Sequence, residues 1–550
     1  MPILLKRHWP WLVAVGAYWT AAAILIALSL RQDQGNLVYA LDDAYIHMAV
    51  AKNFVTHGVW GVTRYGFSSS VSSLLWPLLV ILSYELFGVN QASPLVLNLF
   101  FGALILVVAD HILGKYKASP IYRAAALWVF IFLSILLPMT LQGMEHLLHI
   151  AATLLVTYLG ARFLSDDADA QSSREFFWLL LAAPLVTAAR FEGMFLILVI
   201  GALMVVRLRW RHALAFGAAG FLPVAAYGLV SVLKGWYLLP NSVLLKGQMP
   251  AWGSLWSAGA SSLYTGVYNL GSAPHLTAII LAVLFLYVYT SRYGAHQPAG
   301  WDSRRLMVTI FIGTTWLHLE FAIVCMFCRY DAYLIALGTL IAAAQLIDLI
   351  PQERSAFSFH WRGLPRYLGA AALAGVLLLP LGTRAAMAIP IWLEGTLNIF
   401  QQQYHMGLFM QKYYQGSTVA LNDIGAVDFL ADVHCFDLAG LANLKVARKR
   451  LRKDFHTADI FALTRESGTR VAIVYDSWFG GEIGGLPPEW IKVGEWTIAH
   501  NYVAGDKTVS IYAVDTAEAA PLTQHLRDFS ASLPPSVLQS GKYTEWVSTQ

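Results

Sequence analysis

The sequence predicts a polytopic α-helical membrane protein that ends in a folded α/β domain outside the bilayer. Three observations predict it. Apolar runs of near-spanning length repeat through the first 390 residues, and about 20 such residues suffice for one crossing. The composition agrees, with 57% hydrophobic residues, only 13% charged, and a mean hydropathy of +0.56. Beyond residue 391, Asp, Lys, Arg and Gly become frequent, and short β-like runs alternate with helical segments.

Lys6 and Arg7 place the N-terminus in the cytoplasm by the positive-inside rule. Residues 10–30 cross first; no small-residue cleavage pattern precedes Arg31, so this span is uncleaved. An external loop, 31–73, follows. It holds Asp42-Asp43-Ala44-Tyr45-Ile46-His47, opening a weakly amphipathic helix that His57-Gly58 stops, and the turn-rich Arg64 to Ser70. The run 74–88 lies in the interface or re-enters, because the loop charges balance only if it does not cross. Crossings are then expected at 95–113, 124–139, 147–163, 176–189, 194–206, 213–233, 276–291, 306–327, 331–350 and 367–389, about eleven with the first.

The basic loops Arg207 to Arg211, Arg292 to Arg305 and Glu353 to Arg366 set the cytoplasmic side. Counting from them puts Glu145-His146, Arg190 to Glu192, the 234–275 loop and Arg329-Tyr330-Asp331 on the face that carries Asp42-Asp43. Residues 1–390 therefore form the membrane domain, and 391–550 an external domain with β-like runs at 418–421, 471–475 and 509–512.

Several functions are disfavoured. The net charge of +4 is scattered over loops and reports topology, not nucleic-acid binding. Three cysteines offer no metal or disulfide framework. Cys325 and Cys328 stand at CxxC spacing, but inside an apolar span, where small buried hydrophobes are expected and a redox pair is not. His146 and His149 are i,i+3 neighbours without further obvious ligands, and read as interface histidines. Arg448-Lys449-Arg450 reads as a solvated helix face.

Asp42 and Asp43 alone would suit any helix N-terminus. Ionisable groups at membrane depth, however, are rare and either pair or serve function, and five clusters on one face call for a common explanation. Group transfer from a lipid phosphate supplies one. Cations must meet the charge that grows on the departing phosphate, and a carboxylate within hydrogen-bond reach can take the acceptor hydroxyl's proton. Consecutive residues on a helix diverge by about 100°. One aspartate can therefore face the substrate, leaving the other to bind a cation or hold the loop; which does which stays open.

These residues also carry a resemblance. Asp42-Asp43-Ala44-Tyr45-Ile46 after the first span resembles the GT-C glycosyltransferases that use polyprenyl-phosphate sugars, nearest the branch of the mycobacterial terminal arabinofuranosyltransferases. Ser72-Ser73 before Leu74-Leu75-Trp76, Gly143-Met144-Glu145, Ala189-Arg190-Phe191-Glu192-Gly193, Pro240-Asn241-Ser242 with Lys246, and Arg329-Tyr330 are similar to that branch's motifs, in order. Asn422 to Ala426 and Asp437 to Leu441 resemble the start of its external domain. The resemblance implies a GT-C-like membrane domain, to which the loop charges give about eleven transmembrane helices plus an interfacial helix. It implies an inverting transfer of a sugar, in a bacterial plasma membrane, from a polyprenyl-phosphate donor to a cell-envelope glycan or lipid-linked acceptor. Asp42 and Asp43 would be the catalytic carboxylates, and Tyr45, His47, Glu145, His146, Arg190, Glu192, Asn241, Lys246, Arg329 and Tyr330 the donor and substrate contacts. A divalent cation at Asp42-Asp43 stays open, and no other cofactor is implied. The sequence departs from the branch at His47-Met48-Ala49, where an Arg is usual, and at Phe191, where a Pro is usual. A flippase of lipid-linked sugars and a non-catalytic envelope-assembly protein are the alternatives.

Overall fold

Helices form where the apolar runs predict them, in a computed structural model that describes residues 2–166, 172–247, 255–293, 300–349 and 364–544. Among the described residues, five helices have the length and apolarity to cross a bilayer: His8–Gln32, Ser93–Lys115, His146–Leu164, Trp210–Leu233 and Pro274–Tyr293. Shorter apolar helices, Leu75–Phe87, Pro120–Leu133, Gly193–Val206 and Ala332–Leu346, pack among them. At 1.5 Å per residue, Leu75–Phe87 reaches about 20 Å, less than the ~30 Å hydrocarbon core. Most of the Glu353 to Arg366 loop lies outside the described residues.

Two expected runs break. Pro120–Leu133 ends at Ser134, and Ile135, at φ 49°, turns the chain into the short helix Leu136–Thr140. The helix Ser303–Phe321, capped by Asp302, stops six residues before the apolar run does. Residues 322–331 form a hairpin instead, in which Cys325, Phe327 and Cys328 adopt φ of 69°, 52° and 59°. The two cysteines are thus partly exposed on a turn and not buried within a span.

The helix Asp42–His57 begins on its two acids and ends at Gly58, which at φ 68° donates to the Asn53 and Phe54 carbonyls. Its faces serve two cores. Ala44, Tyr45, Met48, Ala49 and Ala51 pack into the membrane helices, whereas Ile46 and Val50 pack with Met406, Phe409, Trp496 and their neighbours in the C-terminal domain. The same helix therefore positions the acids and joins the two halves. Helical backbone from Leu364 to Tyr413, loosened into a π turn at Phe400–Tyr404, makes the covalent connection.

The C-terminal domain is one six-stranded sheet: β1 Thr418–Leu421, β2 His434–Asp437, β3 Val471–Val474, β4 Ile491–Thr497, β5 Thr508–Ala513 and β6 Leu538–Gly541, in the order β2-β1-β3-β5-β4-β6. The first three run parallel and the rest antiparallel. The loop after β1 begins the helix Gly425–Leu430, which lies against Asp42–His57.

Candidate active site

The two aspartates separate completely. Asp42 turns to the C-terminal domain. Its Oδ2 accepts from the Gly425 amide at 2.7 Å and its Oδ1 from the Ala426 amide at 2.8 Å, so one carboxylate holds the first turn of Gly425–Leu430. Only glycine fits position 425, since a Cβ there would stand 2.1 Å from the Asp42 carbonyl oxygen. Burial and the neighbouring Asp423 push the Asp42 carboxyl up to about 8; burial pushes Asp423 up to about 6.

Asp43 turns the other way, into a cavity of about 280 Å³. Arg329 Nη2 donates to its Oδ2 at 2.8 Å, and Lys246 Nζ lies 3.4 Å from the same oxygen. Burial raises the Asp43 carboxyl, but the two cations outweigh burial and hold it well below the usual carboxylate range. Asp43 reciprocally raises Lys246 against its own burial. Asp43 is therefore ionised, partly accessible, and held in place by the two groups best suited to meet a phosphate.

Behind it lies a buried ion network. Arg190 Nη1 donates to Glu145 Oε1 at 2.6 Å, while its Nε and Nη2 reach Glu192 Oε2 and Oε1 at 3.1 and 2.7 Å. Glu145 also accepts from Ser72 Oγ at 2.9 Å, and His47 Nε2 lies 3.2 Å from that hydroxyl and 3.5 Å from Glu145 Oε2. Burial lowers the His47 pKa more than Glu145 raises it, which leaves the ring neutral near pH 7. The Tyr330 ring lies between two guanidiniums, 5.1 Å from Arg190 and 5.0 Å from Arg329. Three carboxylates (Asp43, Glu145, Glu192) thus face three cations (Arg190, Lys246, Arg329), so a further anion must compete with Asp43 for its partners.

Asp43, His47, Arg190, Glu192, Lys246 and Tyr330 line the cavity; Met144, Phe191, Met194, Phe195, Phe321 and Ile323 supply an apolar wall, and Leu441 closes it from the C-terminal domain. Glu145 stands directly behind. The remaining expected contacts do not line it. Tyr45 is fully buried, its hydroxyl accepting from the Tyr39 amide at 3.2 Å. His146 lies edge-on to the Tyr330 ring at 6.3 Å. Asn241 Nδ2 donates to the Gly440 carbonyl at 2.8 Å, on a loop shaped by Asp437, whose carboxylate accepts from the Ala439, Gly440 and Ala442 amides. Ser72 completes the network, and the sequence marks it only as half of the Ser-Ser pair before Leu74. The Asp42 carboxylate is engaged by two amides and that of Asp43 by two cations, and no group of three His, Cys, Asp or Glu among the described residues could hold a metal ion. The side chains as placed do not fit a divalent cation at this pair; Lys246 and Arg329 supply positive charge there.

The architecture has a counterpart among solved structures. ArnT from Cupriavidus metallidurans, bound to undecaprenyl phosphate, superposes with a TM-score of 0.54 at 12% identity, over 92% of this chain and 99% of that one. The fold is GT-C. The Archaeoglobus fulgidus oligosaccharyltransferase matches at 0.46 and 11% identity over 96% of this chain and 76% of that one. Mycobacterial arabinofuranosyltransferase AftD matches at 0.42 and 14% over 90% and 41%. A family model described as a domain of unknown function, DUF8728, matches residues 397–512, from the π turn through most of the sheet. No curated protein matches the sequence.

Proposed function

We propose that the protein is an inverting glycosyltransferase that moves a sugar from a polyprenyl-phosphate donor to a cell-envelope glycan or lipid-linked acceptor on the extracytoplasmic face. One observation carries the reading: Asp43, an ionised carboxylate, faces an apolar-walled cavity while Arg329 and Lys246 hold it. The undecaprenyl phosphate bound to ArnT, a protein of the same fold, supports a donor of that class.

The chemistry follows from the charge balance. A donor phosphate draws Lys246 and Arg329 toward its oxygens, and Asp43, relieved of its cations, becomes a stronger base. It takes the proton of the acceptor hydroxyl as that oxygen attacks the anomeric carbon from the side opposite the phosphate. The carbon–phosphate-oxygen bond breaks, the configuration inverts, and the two cations meet the charge left on the lipid phosphate. The isoprenoid chain lies along the wall formed by Phe191, Phe195 and Phe321. Arg190, saturated by Glu145 and Glu192, orients Tyr330 and the floor of the cavity and does not bind phosphate.

The test is transfer of labelled sugar from polyprenyl-phosphate lipids by purified protein in liposomes. Transfer that is lost in Asp43→Asn supports the reading. Movement of the lipid between leaflets without transfer would instead favour the flippase alternative.

A further inference from the structure

The hairpin Ala322 to Asp331 holds a second chemical device. Cys325 and Cys328 are both partly exposed, and Met326 between them is 39% exposed. The Cys328 amide donates to the Cys325 carbonyl across one tight turn, and the neighbouring Cys325, helped by Arg384, lowers the Cys328 pKa to about 7. Three of the four residues from Cys325 to Cys328 have positive φ although none is glycine. Such backbone persists only where its surroundings enforce it. On one side Arg384 enforces it, donating to the Cys328 carbonyl at 2.7 Å. The next residue is Arg329, whose guanidinium holds Asp43. Any change in the turn therefore passes to Arg329 with no residue in between.

We propose that Cys325 and Cys328 close an intramolecular disulfide by exchange with an external disulfide, and that this link holds the turn from which Arg329 reaches Asp43. The oxidising surroundings it needs rest on the extracytoplasmic placement of this face under the function proposed above. The Cys328 thiolate attacks one sulfur of a small-molecule or protein disulfide and expels the first thiolate. Cys325 releases its proton to water, and its sulfur attacks Cys328 and expels the second. Two protein thiols lose two electrons; the external disulfide gains them and leaves as two thiols.

The experiment uses the full chain in detergent, first reduced, then equilibrated with oxidised glutathione and quenched in acid. Cyanogen bromide cuts after Met326, between the two cysteines. The expected result is two fragments that stay joined until reduced, with a mass about 2 Da below the sum of the two reduced fragments. The link should be absent from Cys325→Ser and Cys328→Ser and intact in Cys435→Ser. Recovery of both residues as thiols, or only as glutathione adducts, overturns the proposal. For the coupling, the donor KM of reduced wild type should match that of Cys328→Ser and exceed that of the oxidised form about threefold; equal KM in both redox states removes the link to Arg329. Because the cross-link is read by mass, a protein that cross-links but transfers no sugar would sink the proposed function alone.

Discussion

Arg329 Nη2 donates to Asp43 Oδ2 at 2.8 Å across 286 residues of chain, and this contact separates the roles of two adjacent aspartates. Asp43 keeps company with cations at the mouth of a cavity; Asp42, one residue earlier, keeps company with backbone amides of another domain. Their roles can be tested apart.

Asp43→Asn keeps a hydrogen-bond acceptor for Arg329 but removes the base. Turnover should fall by about 10²- to 10⁴-fold. The donor KM should fall as well, because the phosphate no longer competes with a carboxylate for Lys246 and Arg329. Steady-state kinetics on purified protein checks both, and wild-type turnover would refute the assignment.

Asp42→Ala removes two hydrogen bonds from the start of Gly425–Leu430 and leaves two amides without their partner, which should cost about 1–3 kcal/mol of domain stability. Thermal unfolding and limited proteolysis of the C-terminal domain would register it. Gly425→Ala should act in the same direction by forcing a Cβ onto the Asp42 backbone.

Arg190→Leu strands Glu145 and Glu192 inside the protein. A cost of about 3–5 kcal/mol is expected for breaking a buried ion network by removing one partner. Glu145→Gln should cost less, because Glu192 still pairs with Arg190. Denaturation midpoints of the two variants, compared with wild type, decide the order.

Lys246→Met removes one of the two cations that depress Asp43, so the Asp43 pKa rises toward the ordinary carboxylate value. The acid limb of the rate–pH profile should move to higher pH, and the donor KM should rise. An unmoved limb with a raised KM would assign Lys246 to binding alone.

Asp423 has a folded-state pKa raised to about 6, above an unfolded value near 3.9. The folded state binds the extra proton, so this contribution to stability is complete below about pH 4 and is lost as pH rises through about 6. Asp42, raised to about 8, extends the same loss upward. Asp423→Asn can still accept from Gln403 Nε2. Its gain in melting temperature over wild type should therefore grow between pH 5 and pH 8.

Much of this was legible in the chain. First-turn acids and a terminal glycine mark both ends of Asp42–His57, and the 100° step between neighbours requires Asp42 and Asp43 to diverge. Lys246, Arg190 and Arg329 could be grouped on one face by loop charge. Other features were not legible. Asn241 reads as a donor contact, and only packing shows that its amide reaches Gly440, because a motif shows which residue types recur and not which neighbour they meet. Ala322 to Phe327 contains neither Gly nor Pro and reads as continued helix. Its reversal is supported from a distant helix by Arg384 on the Cys328 carbonyl, which no local propensity reports.

The sequence by itself determined the class of protein and the raw materials of its site. Apolar run length, loop charge and the shift in composition near residue 391 are local properties, and the hydrophobic effect acts on them wherever the chain goes. Only the tertiary structure decided which aspartate faces the cavity. That choice depends on Gly425 and Ala426 presenting their amides to Asp42 from nearly 400 residues away, and on Arg329 and Lys246 arriving at Asp43 from two other loops. Side-chain direction on a helix is set by the backbone, but the partner that gives a carboxylate its charge state is set by packing.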